Sequence, residues 1–387
     1  MERIMDTIRH NIRQYAMVLA LILITLFFQV MTDGVLLRPL NLTNLIQQNS
    51  YVLILSTGML LCILTGNIDL SVGSIVAFVG AVSATFIVMW GMPTIPAILL
   101  SLLIGALIGA WQGFWIAYVR IPSFIVTLAG MLIFRGLTMV MLQGRTLAPF
   151  TDMYTMISSG FFPDIFGSHS LHILTLVVGA GCALAYAVTE VRGRKKRQQF
   201  GFEKMTMPVF IARIVAVDVV IMAIAFLLAS YKGFPVVLLL LGVLVLIYSF
   251  ITQRTVAGRH VYAFGGNEKA AKLSGIKTNR VLFWVYVNMG LLSALAGIVF
   301  AGRLNAATPK AGVSFELDAI AACFIGGASS SGGIGTVVGA IIGGLIMGVL
   351  NNGMSILGIS IDWQQAIKGF VLLAAVAFDV VTKSKSR

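Results

Sequence analysis

Charged side chains are scarce. Lys, Arg, Asp and Glu make up 11% of the 387 residues, against about 25% in an ordinary soluble domain. Hydrophobic residues reach 58%. That deficit excludes a soluble fold and leaves a polytopic, all-α membrane protein. Nucleotide chemistry lacks its motif: no Gly-x-x-x-x-Gly-Lys-[Ser/Thr] loop is present to hold phosphates. The Gly326–Gly335 run is glycine-rich but has no lysine, and reads as a tight cytoplasmic turn. The four histidines, His10, His169, His172 and His260, have no spacing for zinc or for a nucleophilic triad. Cys62, Cys182 and Cys323 sit in apolar runs and read as free buried thiols, not as a disulfide framework. No clustered carboxylates suggest hydrolysis. The chain is therefore expected to be no enzyme, and no cofactor is assigned to it.

Counting about 20 residues per crossing gives twelve apolar segments. They fall near 14–33, 47–65, 70–90, 94–118, 122–142, 171–189, 208–230, 234–252, 281–301, 316–328, 334–350 and 363–381. The segment at 316–328 is short enough to be broken or re-entrant. No cleavage pattern follows the first run, which reads as a span that stays. The net charge of +13 would suggest nucleic acid in a soluble protein. Here it is assigned to cytoplasmic loops, and no nucleic-acid partner is expected. With the N-terminus inside, the inside loops carry 20 basic residues. These include Arg3, Arg9, Arg120, Lys204, the 253–280 loop, Lys385 and Arg387. The outside loops carry 5: Arg38, Arg145, Lys232, Arg303 and Lys310. That bias places both termini in the cytoplasm. A single domain over 1–387 is expected, with inside loops near 190–210 and 253–280. The outside loop near 143–170 holds Tyr154, Phe161 and Phe162. It reads either as an ordinary surface loop or as a docking surface for an extracytoplasmic partner.

The stretch Gly66-Asn67-Ile68-Asp69-Leu70-Ser71-Val72-Gly73-Ser74 sets a carboxylate, hydroxyls and glycines between apolar runs. Ionisable groups in a bilayer are costly and usually face protein or water. Asp69, Ser71, Gly73 and Ser74 therefore read either as part of a translocation path or as a turn in which Asp69 caps the next helix. Leu317-Asp318 opens a later segment of opposite direction, as an inverted repeat would require. Asp318 joins the path candidates on that ground. Gly105, Gly109 and Gly113 form a small-residue stripe suited to close helix packing. Arg135 lies deep in a span and needs a carboxylate or carbonyls. Asp69 is its first candidate partner and a helix C-terminus the second, and Glu316 is grouped with it as an intramembrane charge.

Within the 253–280 loop, Asn267 can cap a short helix from Glu268 to Ser274, and Gly275 can end it. Lys272 is the i+4 partner expected for Glu268. A helix this short is not stable alone and needs a surface to lie against.

The Gly66–Ser74 run, the run from Gly265 to Ile276, and Glu316-Leu317-Asp318-Ala319-Ile320-Ala321-Ala322 together resemble the signatures of permease subunits of bacterial monosaccharide ABC importers. The branch is the ribose, galactose and xylose one. The extra hairpin near 171–230, beside ten core segments, resembles the xylose-type members. The resemblance implies inward movement of a monosaccharide by alternating access, in the bacterial inner membrane. It implies a permease homodimer among membrane lipid, a cytoplasmic ATPase with two nucleotide sites, and an extracytoplasmic sugar-binding protein. ATPase coupling would then fall on Asn267, Glu268, Ala270, Ala271, Leu273 and Gly275. The alternative is an ion-coupled secondary transporter using Asp69, Arg135, Glu316 and Asp318.

Overall fold

A computed structural model describes residues 12–167, 171–200 and 206–384. Arg3, Arg9, His10, His169, Lys204, Lys385 and Arg387 lie outside the described residues. Among those described, the regular structure is helical, with two isolated bridges, Leu147 to Ala307 and Phe161 to Pro235. The helices are α1 Ile12–Met31, α2 Pro39–Leu64, α3 Val72–Ala84, α4 Thr94–Ala117, α5 Ser123–Leu142, α6 Asp152–Ser159, α7 Ile173–Gln199, α8 Met207–Ala229, α9 Val236–Arg254, α10 Val256–Gly266, α11 Glu268–Leu273, α12 Thr278–Leu304, α13 Phe315–Ile325, α14 Val337–Ile356 and α15 Ile361–Ser384. A π turn over Thr85–Met89 continues α3. Nine helices among the described residues are long and apolar enough to cross a membrane.

Two compact units divide the chain: Met1–Leu36 with Leu45–Ser159 and Val237–Arg387, and Leu37–Asn44 with Gly160–Val236. In the first unit, α2 runs through the core and 83% of its most apolar window is buried. A helix buried all round needs no polar stripe, and its polar groups must find partners inside the protein. Asn49 Nδ2 donates to the Gly344 carbonyl at 2.7 Å, and Thr57 donates to Leu53 at 2.8 Å. The glycine stripe of α4 packs on α12. A Cβ at Gly109 would run into the Tyr286 carbonyl, and one at Gly290 into that of Gly105. In the second unit, α7 and α8 form a hairpin in which Gly179 faces Ala225. Arg213 pairs with Glu190 at 3.3 Å, and the Arg194 guanidinium lies over the Phe210 ring.

The 143–170 stretch departs from a plain loop because α6 forms within it. Tyr154 is fully buried and stacks on Phe150 with ring centroids 4.2 Å apart. It therefore does not belong to an exposed aromatic surface. The exposed large hydrophobic residues among those described in this stretch are Met153, Met156, Ile165 and Phe166.

Candidate functional site

α2 ends at Leu64, and the chain turns through Gly66 at a φ of +71°, a left-handed value that suits glycine. It then enters the bundle without helical structure until α3 begins at Val72. Asp69 is fully buried and folds back on its own chain. Its Oδ1 accepts the Ser71 backbone N–H at 2.8 Å and the Ser71 hydroxyl at 2.6 Å. Gln112 of α4 donates to the Ser71 oxygen at 2.7 Å. The same amide lies against Gly130 of α5, where a Cβ would displace it. Three buried atoms here have no hydrogen-bond partner among the described residues: Asp69 Oδ2, Gln112 Oε1 and Ser74 Oγ. Gln112 is absent from the residues read from sequence. Its signal is a lone amide inside Gly109-Ala110-Trp111-Gln112-Gly113.

Gly73, on the first turn of α3, meets the second short helix. A Cβ there would strike the Gly312 carbonyl and the Glu316 carboxylate. The N-terminal ends of α3 and α13 therefore start side by side. Arg135 donates to the Ala311 carbonyl at 2.5 Å. Among the described residues it forms no ion pair with Asp69, so a backbone carbonyl occupies the place expected for that carboxylate. Asp318 points elsewhere. It is 2% exposed, pairs with Lys368 of α15 at 3.0 Å, and accepts from the Tyr51 hydroxyl at 3.5 Å. The Tyr51 ring stacks on Phe315 at 3.8 Å. The structure thus brings Ser71, Gly73 and Glu316 into one region and holds Asp318 in a separate ion pair. Lys368 and Tyr51 complete that pair from helices distant in sequence.

A third cluster gathers the end of α2, Arg120, α10, α11 and the 326–335 turn. Gly333 N–H donates to the Leu64 carbonyl at 2.9 Å, and the Tyr262 hydroxyl to the Gly335 carbonyl at 2.7 Å. A Cβ at Gly265 would collide with that same Leu64 carbonyl. Asn267 Oδ1 accepts the Ala270 N–H at 3.0 Å and caps α11. Gly275, at a φ of +85°, closes it. Glu268 pairs with Arg120 at 2.8 Å rather than with Lys272. Arg120 also donates to Asn279. Ala271 is buried and Ala270 exposed, while Leu273 stands 90% exposed on a six-residue helix.

Comparison with known proteins places this architecture. Residues 41–376 match the family described as branched-chain amino acid transport system / permease component. The xylose transport system permease protein XylH of Haemophilus influenzae is 40% identical over 375 residues, covering 97% of this chain and 98% of that one. XylH of Escherichia coli K12 is 40% identical over 376 residues, 97% of this chain and 94% of its own. The ribose import permease protein RbsC of Bacillus subtilis is 38% identical over 343 residues, 89% and 85% of the two chains. No solved structure matches. With relatives aligned along nearly its whole length and nine membrane-length apolar helices among its described residues, the chain belongs to this family of ABC transport permeases, as a multi-pass inner-membrane translocation subunit and not an enzyme.

Proposed function

We propose that the chain translocates a monosaccharide, a xylose-like pentose or a related hexose, inward by alternating access. The single observation that carries this reading is 40% identity to xylose permeases across 97% of the chain. Coverage of the chain falls to 89% with the ribose relative, which favours the xylose type. The ion-coupled alternative finds no support among these relatives. The working assembly is a permease homodimer in lipid, with both termini cytoplasmic, a cytoplasmic ATPase carrying two nucleotide sites, and an extracytoplasmic sugar-binding protein. An inverted repeat relates the segments that open at Asp69 and Asp318.

Asp69, Ser71, Gly73 and Ser74 form the inner wall of the path, closed in this conformation, and Asp318 contributes to the path from its own ion pair with Lys368, apart from that cluster. Three orphaned buried polar atoms support that role. Each unmade hydrogen bond costs about 1–3 kcal/mol, a penalty that a second, hydrated conformation would remove. Arg135 and Glu316 balance charge where the two short helices meet. Asn267, Ala270, Ala271 and Gly275 shape α11, and Leu273 offers the ATPase an apolar contact. Glu268 holds that helix to Arg120. The test is uptake by the reconstituted complex over a panel of pentoses and hexoses. ATP-dependent pentose uptake is expected. Uptake that survives without ATP and collapses with the proton gradient would reject the proposal.

A further inference from the structure

A groove of about 580 Å³ lies where α9, α10 and α12 converge. That size is typical of small-molecule sites. Its walls are apolar, with Leu61, Ile251, Val261 and Val285. One end carries the cations Lys277 and Arg280, and no carboxylate lines the groove. Among the described residues neither Lys277 nor Arg280 has an ion-pair partner. Both are exposed. They also flank the start of α12, where unpaired N–H groups and the helix dipole add positive potential. The groove therefore has a headgroup end and a chain end. From Arg280 to Asn288, at the deep end, the rise along α12 is about 12 Å.

The groove opens toward lipid. Trp284 lines it and is 64% exposed, and Trp favours the membrane–water boundary. Phe250 and Leu246 of α9 are equally bare, and α9 has only 22% of its most apolar window buried. Deep in the groove Tyr248 donates to the Asn288 oxygen, which leaves Asn288 Nδ2 buried with no acceptor among the described residues.

We infer that this groove holds one anionic phospholipid of the surrounding membrane, with its phosphate on Lys277 and Arg280 and an acyl chain between α9 and α12. Basic pockets between spanning helices are suited to such headgroups. The lipid also touches the docking region. Gly275 and Ile276 line the groove, and Ile276 N–H donates to the Ala271 carbonyl at 3.1 Å. An occupied groove braces the segment that ends α11.

Native mass spectrometry of the purified permease, titrated with phosphatidylglycerol or phosphatidylcholine of equal chain length, tests this. One phosphatidylglycerol should be held in preference. Arg280→Gln should weaken it about fivefold and Lys277→Gln/Arg280→Gln about 25-fold, with phosphatidylcholine unchanged. Both side chains are exposed, so the variants should insert normally. Ala257→Trp, which fills the groove and leaves the cations in place, should also expel the lipid. Three results would overturn the inference. One is equal phosphatidylglycerol retention in wild type and double variant. Another is displacement by inorganic phosphate at equal concentration. The third is a double variant that keeps the lipid but loses the ATPase, which would make the groove a protein contact.

Discussion

Gly73 and Gly312 approach so closely that a Cβ on either would run into the other's carbonyl oxygen. This contact joins the start of α3 to the loop that leads into α13. It brings together two helices that begin with acidic residues near them: Asp69 before the one, Glu316 and Asp318 within the other. α13, at 11 residues, is shorter than a typical crossing of about 20, whereas α3 with its π turn runs for 18. Backbone of this irregular kind survives at membrane depth only where protein or a cavity surrounds it.

Gly73→Ala should therefore act at a distance from its own side chain. The added methyl has no free direction, because a backbone carbonyl and the Glu316 carboxylate stand in its way. Overpacking of this sort costs about 1–3 kcal/mol. The thermal midpoint of the purified permease should fall, and transport should fall more than the folded yield. Wild-type melting and uptake would show that the two starts are not wedged together.

The Asp69, Ser71 and Gln112 chain predicts non-additivity. Ser71 donates to Asp69 and accepts from Gln112. Gln112→Leu leaves the serine oxygen without its donor, and Ser71→Ala leaves the Gln112 amide without its acceptor and Asp69 with only the residue-71 backbone N–H. The double variant should be less destabilised than the sum by about 1 kcal/mol. Chemical denaturation of the four proteins gives the cycle directly, and strict additivity would count against the relay.

How far the sequence reveals this arrangement depends on range. Of the twelve segments read from hydropathy, nine correspond to membrane-length helices among the described residues. α2 departs from its segment at the start: its helix begins at Pro39, well before its apolar run. Asn41, Gln47, Gln48 and Asn49 dilute the apolar signal, although the helix is buried and Asn49 is satisfied by Gly344. The cap at Asn267 is local and legible. The partner of Glu268 is not, because Arg120 lies 148 residues earlier and nothing in the intervening pattern announces it. Lys368 and Tyr51 escape for the same reason. Each reads as a lone polar residue in an apolar run until folding sets it beside Asp318.

The Asp318–Lys368 pair makes a sharp contrast between single and double substitution. Asp318 is 2% exposed, so removing its cation leaves a buried carboxylate. Breaking a buried pair from one side costs about 3–5 kcal/mol. Lys368→Met should sharply reduce the folded yield, whereas Asp318→Asn/Lys368→Met should recover most of it. Fluorescence size-exclusion profiles of the detergent extracts would read this out. Equal loss in both variants would mean that the pair does not hold α13 to α15.

Docking of the ATPase should depend on Leu273 and not on the charge of Glu268. Leu273 projects into solvent from a capped, buttressed helix, which is a costly place for leucine unless a partner covers it. Glu268 is engaged with Arg120 at a half-exposed site, where such a pair contributes about 0–1 kcal/mol. Leu273→Asp should abolish co-purification of the ATPase while the permease inserts normally. Glu268→Gln should leave co-purification within about twofold, as loss of about 0.5 kcal/mol implies. If Leu273→Asp retains the ATPase and Glu268→Gln loses it, the contact is electrostatic and centred on the helix start.

If the path is as proposed, the buried polar wall meets water in another conformation. Ser74 is fully buried and its hydroxyl has no partner among the described residues. Serine-to-cysteine exchange there keeps size nearly constant and removes no hydrogen bond. The native thiols set the background: Cys62 and Cys323 are buried, and Cys182 is exposed. Replacing Cys182 alone should give a permease nearly silent to a small water-borne thiol reagent. On that background Ser74→Cys should stay unlabelled in the nucleotide-free state. It should react when the complex with its ATPase is trapped by an ATP analogue, because alternating access exchanges which surfaces are wet. Ser71→Cys is the weaker probe, since it also breaks the bond to Asp69. A Ser74→Cys complex that transports sugar yet stays unlabelled in every nucleotide state would make Asp69 a helix cap and Ser74 a packing residue. The route would then run along other faces of the bundle.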